Sequence, residues 1–284
     1  MAPELRWGKR TYLMGIINVT PDSFSGDGLA PDETDPAAAV AAAVAQGRAM
    51  ADAGADILDV GAESSRPRQA YGEHPAVDAQ TELALAIPVV GALASELGDR
   101  VRISIDTSKG VVAAAAIEAG ASIVNDVWAA TRDPGTAVAV AAAPGTHLVL
   151  MHNQDGTEYR DGVYAMVVAW LRDAIDAAIA RGVERDRLVV DPGIGFGKGT
   201  EQNVELLHRL SALKVELGGL PVLVGTSRKR FLGELLEDAS PDDRVEGTAA
   251  TVALAVASGA DIVRVHDVAT IARTLRVADA IVRR

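Results

Sequence analysis

The sequence predicts an α/β fold, a single (β/α)8 TIM barrel over residues 1–284, on three observations. Short β-rich runs alternate eight times with Ala-rich helical stretches. The runs are apolar almost throughout, as strands of a parallel sheet covered on both faces must be. No linker-like stretch divides the chain, and a doubly wound sheet would show fewer strands and a Gly-rich first turn.

Taken in order, a short N-terminal extension precedes the first expected strand, 12–18, and the others follow at 56–62, 101–106, 122–127, 147–152, 187–191, 221–226 and 261–266. Helices are expected at 36–52, 77–97, 109–118, 134–143, 163–181, 201–217, 244–257 and 269–283. Three of the helix-to-strand junctions share a phrase: Ala-Gly-Ala-Asp-Ile-Leu-Asp-Val at 53–60, Ala-Gly-Ala-Ser-Ile-Val-Asn-Asp at 119–126 and Ser-Gly-Ala-Asp-Ile-Val-Arg-Val at 258–265. Each reads as a helix stopped by a C′ glycine and followed at once by a buried strand.

Composition bounds the function. A formal charge of −12 speaks against nucleic acid and anionic membranes, which attract basic surfaces. With no cysteine, disulfides, thiolate metal sites and a Cys nucleophile are excluded. No secretory h-region and no apolar run of about 20 residues is visible, so a soluble cytoplasmic protein is expected.

Polar residues gather where the strands end. Asn18, Glu63, Asp106, Asn125, His152, Asp191, Ser227 and His266 each lie at or just past the end of an expected strand, and in a parallel barrel those ends converge on the face that carries chemistry. Helix capping competes for Asp106, which is followed by Thr107-Ser108 before a helix. Val224-Gly225-Thr226-Ser227-Arg228-Lys229-Arg230 sets three cations at a helix start, and Arg264 sits inside an apolar strand, where a charge needs a partner or a ligand. Both features suit an anion such as a phosphate or pyrophosphate; a solvated basic turn is the competing reading of the first.

Asp191 opens Asp-Pro-Gly-Ile-Gly-Phe-Gly, a turn through which backbone or ligand can approach closely. Its carboxylate can accept a donor pair from an amidine-like edge, with Asp106 and Asn125 placed to read further ring nitrogens; turn formation alone is the alternative. The loops 20–28 and 64–75 are expected to act as lids on the active face, with Phe24 the one large apolar residue of the first. His152 reads as a histidine bonded within the barrel mouth, and no His/Glu spacing suggests zinc.

The motifs together resemble the dihydropteroate synthase family along the whole chain. Met-Gly-Ile-Ile-Asn-Val-Thr-Pro-Asp-Ser-Phe-Ser (14–25), Glu-Ser-Ser-Arg-Pro (63–67), Ser-Ile-Asp-Thr (104–107), Asn-Asp-Val (125–127), Leu-Met-His (150–152), Asp-Pro-Gly-Ile-Gly-Phe (191–196), Thr-Ser-Arg-Lys-Arg-Phe (226–231) and Val-Arg-Val-His-Asp (263–267) follow in the family's order. The resemblance implies a transferase of folate biosynthesis, joining 6-hydroxymethyl-7,8-dihydropterin pyrophosphate to p-aminobenzoate and releasing pyrophosphate with Mg²⁺. It assigns the pterin to Asp106, Asn125, Met151, Asp191, Phe196, Gly225 and Lys229. Asn18, Arg264 and His266 would hold the pyrophosphate, Asn18 also the Mg²⁺, and Phe24, Ser65, Arg66, Pro67, Lys229 and Arg230 the p-aminobenzoate. Asp106, Lys229, Arg264 and His266 would carry catalysis, where one electrostatic contact in a dry site is worth ~2.7–4 kcal/mol. It further implies a homodimer, and sulfonamides as inhibitors.

The sequence departs from the family at Gly61-Ala62, at Ser65 and over 68–74, all at or beside the second loop, which bears on p-aminobenzoate and sulfonamide affinity. A pterin-dependent methyltransferase barrel and a non-catalytic pterin-binding paralogue are the alternatives. The first has no pyrophosphate to hold, and the second should have lost Asn18, Lys229 or Arg264. Lys229→Ala is expected to abolish turnover, and Lys214→Ala, on an expected helix surface, to spare it.

Overall fold

In a computed structural model, which describes residues 3–19, 36–63 and 77–283, all eight expected strands form one parallel sheet. They are β1 (Tyr12–Asn18), β2 (Ile57–Gly61), β3 (Arg102–Asp106), β4 (Ile123–Asp126), β5 (His147–Met151), β6 (Leu188–Asp191), β7 (Leu223–Val224) and β8 (Ile262–Val265). The hydrogen-bonded order runs β6-β5-β4-β3-β2-β1-β8-β7. Between β6 and β7 the barrel closes through a single bridge, Val190 to Val222. Expected over 221–226, β7 keeps two paired residues. Pro221 has no N–H to donate across this seam, and its carbonyl accepts from Val190 N at 2.9 Å.

The helices are α1 (Pro36–Ala53), α2 (Ala79–Leu97), α3 (Gly110–Glu118), α4 (Gly135–Ala142), α5 (Val163–Ala180), α6 (Thr200–His208), α7 (Leu210–Glu216), α8 (Arg230–Leu235), α9 (Val245–Ala257) and α10 (Val268–Val282). The stretch expected as one helix at 201–217 is two, parted at Arg209, where φ −100° and ψ 14° unwind a single residue. The three junction glycines take the left-handed conformation that stops a helix, with φ of 109° at Gly54, 111° at Gly120 and 94° at Gly259.

Alternation along each strand divides the apolar residues between two cores. Outward-facing Leu13, Leu58, Ile103, Ile105, Val124 and Leu150 pack under the helices. Inward-facing Tyr12, Met14, Ile57, Ile123, Val149, Val189, Leu223 and Ile262 fill the lower half of the barrel. Leu5 and Trp7 of the N-terminal extension pack against that inner group, Trp7 edge-on to both Tyr12 and His147. The floor is therefore closed, and the upper half alone remains for a ligand.

Lys214 is not the inert surface residue expected. Its ammonium reaches Asp261, a fully buried carboxylate, at 2.6 Å, and the carbonyl of Gly259 at 2.9 Å. Among the described residues, no helix is long and apolar enough to cross a membrane.

Candidate active site

Above the apolar floor the inward positions become polar. Asp59 on β2, Ser104 and Asp106 on β3, Asn125 on β4 and Asp191 on β6 are all buried. A cavity opens among the strand ends, lined by Asn125, Met151, Asp191, Phe196, Gly225, Ser227, Lys229, Arg264 and His266, all named from the sequence, together with Ile16 and Val127. Its apolar wall is the cluster of Val127, Met151 and Phe196, with Trp128 packed behind. A flat aromatic solute fits such a wall, with polar groups facing its edge.

Arg264, which the sequence left in need of a partner, has two. Nε donates to Asp59 Oδ2 at 2.7 Å and Nη2 to Asp106 Oδ2 at 2.8 Å. Asp106 therefore does not cap the following helix. That role falls to Asp133, whose Oδ2 accepts from Gly110 N at 2.6 Å. Burial, with the charge of Asp59 nearby, pushes the Asp106 carboxyl up to about 8 against the pull of Arg264. Burial is the larger influence, and it outweighs the guanidinium beside the carboxyl.

The Asp191 turn serves both readings made of it. Asp191 Oδ1 accepts from Gly193 N at 2.7 Å, as in an Asp-Pro turn, and the same carboxyl group lines the cavity. Its pKa is raised by burial, while Lys229 and the Gly193 N–H oppose the rise. Gly193 (φ +70°) has the His152 carbonyl where a Cβ would stand. Lys229 lies along this turn, its ammonium donating to the Ile194 carbonyl and standing 4.5 Å from the centre of the Phe196 ring. Burial brings that ammonium down to about 8, with Asp191 resisting.

Lys198 went unremarked in the sequence. It is buried behind the turn, donating to Gly193 O at 2.9 Å and Phe196 O at 2.8 Å and standing 3.0 Å from His152 Nδ1. Burial lowers its pKa to about 7 and that of His152 to about 3, so a neutral imidazole stands beside a readily deprotonated lysine. His152 is thus the mouth histidine expected, with Trp170 edge-on to it.

Asp59 was also missed as a site residue, although the argument that drew attention to Arg264 applies to it equally: a charge within an apolar strand. Asp126, the middle residue of Asn-Asp-Val, stays out of the cavity lining. Its carboxylate shapes the turn after β4, accepting from Trp128 N, Ala130 N and Thr136 Oγ1 at 2.7–3.0 Å.

Not all the expected cations meet in the cavity. Arg228, at a left-handed φ of 58°, forms ion pairs with Asp267 and Asp242. Arg230 is exposed and pairs with Glu234 at 2.8 Å, outside the cavity lining. Of the three consecutive cations, Lys229 alone faces the cavity. His266 stands on it, with Ser227 Oγ 3.1 Å from Nδ1. Asn18 ends β1 beside Gly61, and Glu63 pairs with Lys109, which also reaches the buried Glu82. Ala62 is fully buried, so the methyl that departs from the family pattern sits in a closed contact. Phe24, Ser65, Arg66 and Pro67, with the loops 20–28 and 64–75 as wholes, lie outside the described residues.

An α/β barrel with a closed floor and an acid-rimmed, aromatic-walled mouth is the class that fold and site define. The family model described as pterin binding enzyme matches residues 14–266. The dihydropteroate synthase of Bacillus subtilis is 42% identical over 280 residues, covering 99% of this chain and 92% of that protein. Among solved structures, Clostridium difficile dihydropteroate synthase in the presence of pteroic acid superposes with a TM-score of 0.90 at 42% identity, covering 99% of this chain and 100% of the other. The Xanthomonas albilineans enzyme with 4-aminobenzoic acid gives 0.85 at 43%, covering 96% and 94%. The chain belongs to the dihydropteroate synthase family of pterin-binding enzymes.

Proposed function

We propose that the protein condenses 6-hydroxymethyl-7,8-dihydropterin pyrophosphate with p-aminobenzoate to 7,8-dihydropteroate, releasing pyrophosphate. The observation that carries the reading is the cavity itself. Eight residues assigned by the family resemblance, lying at strand ends or in the turns that follow them, meet around one aromatic-walled space in a barrel 42% identical to a named dihydropteroate synthase.

In this reading the pterin ring lies against Met151 and Phe196. The Asp191 carboxylate accepts from its amino group and ring N–H, and Lys229 donates to a ring acceptor. Asn125 and Asp106 meet the remaining edge. Departure of pyrophosphate leaves positive charge on the pterin methylene carbon, which the aniline nitrogen then attacks. Asp191 favours that charge electrostatically, while Arg264, His266 and Asn18 hold the leaving anion. Because Arg264 is held by the carboxyl groups of Asp59 and Asp106 in the free protein, its help to the anion comes from charge already oriented, with little reorganisation on binding.

Magnesium suits the donor set as a substrate-borne ion. No cluster of three His, Asp or Glu among the described residues could cage a metal alone. Mg²⁺ commonly binds through few protein oxygens together with substrate phosphates. Asn18 would supply an amide oxygen, and the ion would neutralise charge on the departing pyrophosphate.

Phe24, Ser65, Arg66, Pro67 and Arg230 are proposed to hold p-aminobenzoate, with sulfonamides competing there. A cytoplasmic homodimer is the expected state. The test measures pyrophosphate release from the pterin pyrophosphate with and without p-aminobenzoate and Mg²⁺. Turnover dependent on both supports the reading, and no dependence on p-aminobenzoate sinks it.

A further inference from the structure

The seventh residue of each repeated junction phrase is Asp59, Asn125 and Arg264 in turn. These three meet. Asp59 Oδ2 accepts from Arg264 Nε at 2.7 Å and from Asn125 Nδ2 at 3.0 Å. Asp59 is fully buried and does not line the cavity, whereas both of its donors do. Gly61, two residues on and on the same inward face, lacks a side chain; a Cβ there would lie 3.4 Å from Asp106 Cβ.

We propose that Asp59 is a positioning residue that fixes which hydrogen-bonding atom Asn125 turns to the substrate. A carboxylate can only accept, so Asn125 must turn its Nδ2 to Asp59 and leave Oδ1, an acceptor, for the cavity. The heterocycle bound there must then present an N–H at that point, and a ring nitrogen bearing only a lone pair meets repulsion. The same oxygen holds Arg264 by Nε, which leaves Nη2 to Asp106 at 2.8 Å. One buried carboxylate thus orients a neutral reader of the ring edge and the principal cation of the site. A plain counter-ion for Arg264 would not need the second donor. The inference rests on the pterin-binding reading of the cavity.

The test is titration of 6-hydroxymethyl-7,8-dihydropterin into wild type, Asp59→Asn, Asn125→Ala and the double variant, with melting curves confirming the fold. Asp59→Asn should weaken binding by about tenfold or more, since a bond to a charged group is lost on a buried donor. The KM for p-aminobenzoate at saturating pterin pyrophosphate should move by less than about twofold. In the Asn125→Ala background the same substitution should cost less than about threefold, because the two act through one contact. Asp59→Ser, smaller and uncharged, carries the same expectation if Asp59→Asn does not fold. Binding within about twofold of wild type in the folded variant, or a full additive loss in the Asn125→Ala background, would overturn the proposal. A ligand-free readout separates it from the functional reading: the Asn125 side-chain amide resonances should shift and exchange faster in Asp59→Asn. Unmoved resonances overturn the positioning role, whereas a wild type that ignores dihydropterin overturns the function.

Discussion

Removing the buried ammonium of Lys198 should leave the protein folded yet change how its stability responds to pH. Lys198→Met takes a donor from Gly193 O, Phe196 O and His152 Nδ1. Each unsatisfied acceptor costs about 1–3 kcal/mol. Against this, the fall of the Lys198 pKa from 10.5 to about 7 is a penalty of order 5 kcal/mol for burying the charge, which methionine does not incur. The two nearly cancel, so at neutral pH the net change should stay within a few kcal/mol. The sign of the pH effect is firmer. A base whose folded pKa is depressed contributes stability above its unfolded pKa and loses it as pH falls toward the folded value. Between about pH 8 and 9.5 the unfolded chain holds the Lys198 proton and the folded one does not, so wild type should gain about 1.4 kcal/mol per pH unit from this residue. Lys229 contributes a similar trend in both proteins and drops out of the difference. Urea titrations of both proteins at half-unit steps measure it. Curves that run parallel across the window would refute the placement of Lys198 as a buried, readily deprotonated donor.

Turnover should fall as pH rises through about 8, where Lys229 loses the proton that the proposed mode of binding has it donate to the pterin. Lys229→Arg should flatten that limb of kcat/KM for the pterin substrate, and a limb left in place would contradict the assignment. Lys229→Ala should reduce p-aminobenzoate-dependent turnover by about 100-fold or more, whereas Lys9→Ala at an exposed position should not. Equal losses would dissociate Lys229 from the site. Lys214→Ala should lower the melting temperature, since the buried Asp261 loses its nearer cation and keeps only Arg283 at 3.9 Å, a cost of up to about 3 kcal/mol, and leave the KM values alone. Gly193→Ala should break the turn through its collision with His152 O. By contrast, Gly225→Ala should fold, because its Cβ meets Arg264 Cβ at 3.7 Å and Lys229 Nζ at 3.8 Å, and weaken pterin binding by narrowing the cavity. Calorimetry of both glycine variants separates the two effects.

Most of the architecture was readable because it depends on local rules. A glycine after a helix, a run of Val and Ile, and a polar residue at the strand end are adjacent in the chain and act over one turn or one pleat. Arg209 and Pro221 show the limit: the parting of α6 from α7 and the two-residue β7 depend on single-residue backbone geometry that hydrophobic pattern does not report. At the site, residue type pointed to Asp191 and Lys229, and the family resemblance to Phe196. Neither revealed that Lys198 would stand behind the turn, because a lysine after Phe-Gly reads as solvent-facing until the turn folds over it.

The sequence by itself determined that this protein is an eight-stranded parallel barrel with a polar mouth, and its motifs placed it among the dihydropteroate synthases. Only the tertiary structure decided how the charges in that mouth are shared. Arg264 finds Asp59 across 205 residues and Asp106 across 158, while Asn125 finds Asp59 across 66. Closing the barrel brings these side chains to one level, and inside it a buried charge must take whichever partner the stagger of the strands presents. That is why Arg228 and Arg230, next to Lys229 in the chain, turn to acids outside the cavity while Lys229 enters it.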